Sequence, residues 1–187
     1  MSTTTRVPAM RPSPWPDLDR LARFVRASDS LTDTLAAWTG CGLAVEVLSR
    51  VDGAYPDPLL ADSLNLCDGA RVQERTVLVR SGDAVLAAAR TSVAADSPAL
   101  APAIRTALRS GASLGDVLRP LRRQRVSVRV TVLRERPASD PTAPVLAVQA
   151  RIDVGGTPVA WCEETIFEAV FADGGRPARP RRLRVAA

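Results

Sequence analysis

At 187 residues, with 46% hydrophobic side chains and a net charge of +5, the chain has the length for one domain with a sizeable core. It contains no histidine, so a Ser-His-Asp or Cys-His catalytic unit is excluded for want of an imidazole base. Cys41, Cys67 and Cys162 are scattered thiols without CxxC spacing, read as reduced residues, and no metal site is expected from them. All 25 basic residues are arginine, and the adjacent glycines Gly155-Gly156 lie between strand-like runs rather than in a phosphate-binding loop. No apolar run approaches the roughly 20 residues that span a bilayer, and the N-terminus lacks the apolar core of a signal peptide, so a soluble cytoplasmic protein without a membrane partner is expected.

Residues 1–16, rich in Pro, Thr and Arg, are expected to be a disordered segment. From Asp17 to Ala27, Leu18, Leu21, Ala22 and Val25 recur at helical spacing behind an acidic first turn. A second helix follows, with Ser30 as its cap, Leu31, Leu35 and Trp38 on one face and Gly40 as its stop. The period then shortens to two, and Leu43, Val45 and Val47 predict a strand to about Val51. Residues 52–70 carry Gly, Pro and Asp and read as a long loop of the kind that covers a site. An antiparallel hairpin spans 71–93 around Ser81-Gly82-Asp83. Helical spacing returns at 98–109, and a short turn or helix is expected at 113–118. Strands are predicted at 124–135, with Val126, Val128, Val130 and Val132 alternating, at 145–154, and at 158–171 after the Gly155-Gly156 turn. The sum is an α+β domain over residues 17–171 built on five or six mostly antiparallel strands. Residues 172–187 form a basic tail whose Pro/Arg run, Arg176 to Arg184, is read as a disordered, solvated terminus, with no nucleic acid as partner.

Arg75 and Arg90 lie deep in the two arms of the hairpin. An arginine keeps its charge at neutral pH, so either one, if it points inward, needs an anionic partner. On the last strand Trp161, Glu163, Phe167 and Phe171 share one face, while Cys162, Glu164 and Ile166 share the other. The aromatics favour the first face as the interior, which makes Glu163 a carboxylate among apolar groups, with a raised pKa unless an arginine pairs with it. A shift of one residue in register would exchange Glu163 for Glu164. Two inward arginines and one carboxylate leave one positive charge unmatched. These three residues form either a structural ion-pair network or an anion site.

In order along the chain, Asp29-Ser30-Leu31-Thr32, Val45-Glu46-Val47-Leu48, Glu74-Arg75, Ala89-Arg90-Thr91-Ser92-Val93, Ser113-Leu114-Gly115 and Cys162-Glu163 resemble the chorismate lyase family over residues 17–171. The resemblance implies a six-stranded antiparallel sheet with flanking helices and an internal ligand cavity closed by flaps. It also implies cleavage of chorismate to 4-hydroxybenzoate and pyruvate without metal or cofactor. On that reading Arg75 and Arg90 hold the two substrate carboxylates, Glu163 assists at the ring oxygen, and Leu31, Leu114 and Trp161 form dry walls. A small anionic substrate, chorismate, would be the partner of a monomer, with a dimer as the alternative.

Two other readings share this scaffold: another enzyme acting on a different small acid or polyketide-like substrate, and a non-catalytic domain that binds a small ligand, as in the effector-sensing domains of one family of bacterial transcription regulators. The roughly 40 residues before the first strand are too few for the winged-helix domain that such regulators carry, and the lyase is the expected reading.

Overall fold

The computed structural model describes residues 15–110, 112–134 and 136–172. The expectations for residues 1–14 and 173–187 lie outside them. Two helices, α1 (Pro16–Arg26) and α2 (Leu31–Thr39), precede strand β1 (Ala44–Ala54). A short helix α3 (Pro58–Ser63) leads to the hairpin β2 (Val72–Ser81) and β3 (Ala84–Val93). Helices α4 (Pro102–Arg109) and α5 (Leu114–Leu118) then connect to β4 (Arg123–Val132), β5 (Pro144–Val154) and β6 (Thr157–Phe167), and a 3-10 turn, Glu168–Phe171, closes the described chain. No helix among the described residues is long and apolar enough to cross a membrane.

The six strands make one antiparallel sheet in the order β1-β2-β3-β6-β5-β4, as the α+β expectation requires. Two meanders, β1-β2-β3 and β4-β5-β6, meet where β3 pairs with β6. Local chemistry sets the ends of many elements. Ser30 caps α2, its Oγ accepting from the Asp33 amide at 3.3 Å, and Gly40 ends the helix at φ 71, a left-handed conformation that suits glycine. Gly155 and Gly156, at φ 58 and 82, make the two-residue turn between β5 and β6.

The helices cover one face of the sheet in two clusters. Leu18, Leu21 and Val25 of α1 pack with Leu31, Leu35 and Trp38 of α2 on Val79, Leu86, Val148 and Ile166. Leu100, Leu108, Val117 and Leu118, from α4, α5 and their flanks, pack on Val93, Val154 and Val159. Between the two clusters the inner face stays open.

Three expectations change here. Trp15, assigned to the disordered segment, is buried in the first cluster, its ring 4.9 Å from that of Phe171. The long loop holds α3, which starts at Pro58 behind the Asp57 cap and has no buried residue. The last strand stops at Phe167 because Glu168 turns aside. Its carboxylate accepts from the amides of Ala138 and Ser139 at 2.7 and 2.9 Å, and its own amide donates to Ala143 O.

Candidate anion-binding cavity

The faces of β6 are the reverse of those expected. Ala160, Cys162, Glu164 and Ile166 point to the helices and are buried, whereas Trp161 is half-buried and Glu163 exposed on the opposite face. The small side chains of the buried face lie opposite Ala87, Ala89 and Thr91 of β3 and Ala150 of β5, which leaves room for helices and a cavity. The expected set is therefore divided by the sheet. Arg75, Leu31 and Leu114 line the inner cavity, while Arg90, Glu163 and Trp161 line an outer groove beneath α3.

The inner cavity has a volume of about 300 Å³. Its floor is β2, β3 and β6, its walls are Leu31 and Leu114, and the first residues of α2 and α5 border it. Arg75 stands opposite Thr91, which stands opposite Cys162, so one row of the sheet runs from the guanidinium to the thiol. Arg75 is only 2% exposed, and among the described residues no carboxylate lies within ion-pair distance of it. Its Nη2 donates to Leu108 O at 3.2 Å and to Ala112 O at 2.8 Å, and its Nε has no partner among the described residues. The cation thus meets the carbonyl end of α4, which favours positive charge. Dipoles stabilise a buried cation less than a counter-ion does. Burial and the nearby Arg50 push the Arg75 pKa below its ordinary value, and Asp52 opposes them.

The second inward arginine is Arg125, which the sequence reading did not single out. It is buried, its Nη2 pairs with Glu164 Oε2, and its Nη1 donates to Ser127 Oγ at 2.8 Å and to Val25 O and Ser28 O at the end of α1 at 3.3 and 3.4 Å. Valine alternation on β4 obscured it. A bulge at Val128 shifts the register between Ser127 and Arg129, so Val126 faces outward, Arg125 inward, and Val128 is exposed. The signal available in the sequence was the other parity of β6, which puts a carboxylate at 164 in need of a cation. Burial drives the Glu164 pKa up, and Arg125 pulls against it without cancelling the shift.

On the outer face Arg90 is 60% exposed and donates through Nη2 to both oxygens of Glu74 at 2.9 Å. That bond, and the charge of Glu74 behind it, raises the Arg90 pKa. Glu163 lies directly opposite it on β6 and Asp57 is close enough to add to the shift, so this groove, about 490 Å³, surrounds one paired cation with three carboxylates. It is the larger of the two spaces, but its charges are open to water. The smaller cavity holds the buried, unmatched charge and is the stronger candidate for a ligand site.

No family model matches the chain, and no curated protein matches it in sequence. Among solved structures it is similar to the effector domain of PhnF from Mycobacterium smegmatis, at 17% identity and a TM-score of 0.53 over 75% of this chain and 90% of that one. It is also similar to PhnF from the same organism, at 16% and 0.54 over 81% and 78%. A PhnF C-terminal domain aligns at 21% and 0.50 over 76% and 91%. These likenesses establish the fold. They also correct the expected family and activity, because these structures are PhnF, its effector domain and a C-terminal domain, and not chorismate lyases. The geometry agrees, since Arg75 is separated by the sheet from Arg90 and Glu163, and the three cannot meet one substrate.

Proposed function

We propose that this domain binds a small organic anion in the inner cavity without transforming it, as an effector-sensing domain of the kind carried by bacterial transcription regulators. The observation that carries the reading is Arg75, a buried guanidinium on the cavity wall that no carboxylate of the described residues neutralises. Removing a cation from water costs several kcal/mol, and a bound anion offsets that cost where the two carbonyls do so only in part. Apolar walls with a few convergent polar groups are the usual make-up of a small-ligand site.

Turnover has less support from the inward groups. Glu164 is held by Arg125, and the Cys162 thiol is pushed up to about 12 by burial first and by the charge of Glu164 second, so it is not a thiolate at neutral pH. The reading extends to the effector role through the likeness to the effector domain of PhnF, an analogy at the level of the fold.

Saturation-transfer NMR with a mixture of small organic anions tests it. The unmodified protein is expected to transfer magnetisation to at least one acid, Arg75→Gln to lose that transfer, and the acid to be recovered unchanged after long incubation. Consumption of the acid, or equal transfer in Arg75→Gln, would count against the proposal.

A further inference from the structure

Resting on that reading of the cavity, we infer that its ligand is a singly charged acid with a compact apolar body, its carboxylate docked at Arg75, in preference to a doubly charged phosphorylated polyol.

The charge of the ligand follows from how the other cationic groups of the cavity are used. Arg125 is paired with Glu164. Arg119 is paired with Asp116 at 3.1 Å, and Arg123 donates to Gly115 O at 2.9 Å. Arg123 is half-buried and has no carboxylate partner among the described residues, so Arg75 is the cavity arginine that is both buried and without one, and two backbone carbonyls already occupy its Nη2. One partly used guanidinium matches one carboxylate. A dianion would bring a second negative charge into a space already bordered by Asp29, Asp33, Asp116 and Glu164, with no second buried cation among the described residues that lacks a carboxylate partner.

The body of the ligand follows from the walls. Leu31, Leu43, Val77, Ala89, Leu114 and Ile152 line the space between Arg75 and the Arg125-Glu164 pair. The two poles are separated on the sheet by two strand spacings, from β2 through β3 to β6, and by two residues along β6. That places their Cα atoms about 12 Å apart. Of the hydroxyls on the lining, Ser30 and Ser113 are engaged as helix caps and Thr91 donates to Cys162 Sγ, so a sugar ring set on the aliphatic surface would leave hydroxyls poorly partnered, whereas a hydrocarbon body gains from being buried there.

Calorimetric titration of the full chain with acetate, butanoate, hexanoate, phenylacetate, hexanamide, inorganic phosphate and glucose 6-phosphate reads both features. Affinity is expected to rise about fourfold per methylene from acetate to hexanoate. Hexanamide and both phosphates are expected to bind at least tenfold more weakly than hexanoate, and Arg75→Gln to weaken hexanoate at least tenfold. The amide comparison reads the charge on the unmodified protein, so it holds even if the variant folds poorly. Tighter binding of glucose 6-phosphate or phosphate, lost in Arg75→Gln, would overturn the ligand class and leave the cavity reading standing. Binding of any probe that Arg75→Gln does not alter would overturn both. Failure of every monoacid to bind at millimolar concentration would overturn the inference.

Discussion

Arg75 and Arg90 occupy adjacent rungs of the β2-β3 ladder and opposite faces of the sheet: Arg75 pairs with Thr91, and Arg90 with Thr76. Side chains alternate from one rung to the next, so two arginines fifteen residues apart across a hairpin are set either together or apart by the register alone. Here they are apart. One is a buried cation on a cavity wall, the other a solvated partner of Glu74.

Replacing Arg90 or Glu163 with Gln is expected to change stability by no more than about 0.5 kcal/mol, since both side chains are exposed and surface ion pairs contribute little. Neither substitution should affect binding of a small acid in the inner cavity. Urea denaturation beside a binding titration checks both; loss of binding in either variant would move the site to the outer groove.

Arg125→Met is expected to destabilise the fold by about 3 kcal/mol near pH 8, because Glu164 is then left buried without its cation and the carbonyls of Val25 and Ser28 lose a donor. The loss should shrink on acidification. Burial already sets the folded-state pKa of Glu164 above its ordinary value of 4.5, and removing Arg125 raises it further. Between the unfolded and folded pKa values the native state then binds more protons than the unfolded one, so stability falls as pH rises through that window and returns below it. Denaturation midpoints at pH 5 and pH 8 measure the difference, and equal losses at the two pH values would exclude this account.

The thiols should react in order of exposure. Cys67 is exposed, Cys41 half-exposed, and Cys162 buried with its pKa pushed up to about 12. With Ellman's reagent at pH 8, Cys67 is expected to react promptly and Cys162 only after addition of denaturant. A prompt third thiol in the folded protein would place Cys162 in an open site.

Trp15→Ala is expected to cost about 3 kcal/mol, in the range for removing a large buried side chain. Trp15 and Phe171 are in ring contact and Trp38 meets the same phenyl edge-on at 6.1 Å, so this contact joins the two ends of the described chain. A thermal shift below one degree would return residue 15 to the disordered segment.

The sequence by itself determined the elements whose residues answer to local rules. Leu18, Leu21, Ala22 and Val25 mark the buried face of α1 because helical spacing repeats within one element. Ser30, Gly40 and Gly155-Gly156 mark a cap, a stop and a turn because each acts through its own backbone neighbours. The sequence singled out Arg75 and Arg90 together, as arginines in need of an anionic partner if they point inward, without separating the two. Which arginines and which carboxylate point inward was decided only by the tertiary structure. A strand's alternation names two faces without saying which one meets the helices, and the aromatics Trp161 and Phe167 favoured the wrong one. The inner face is the one whose small residues let α1, α2, α4 and α5 close over it while Arg125, turned inward beside the Val128 bulge, reaches Glu164. That pairing joins residues 39 positions apart on β4 and β6, with β5 between them, and no local pattern records it.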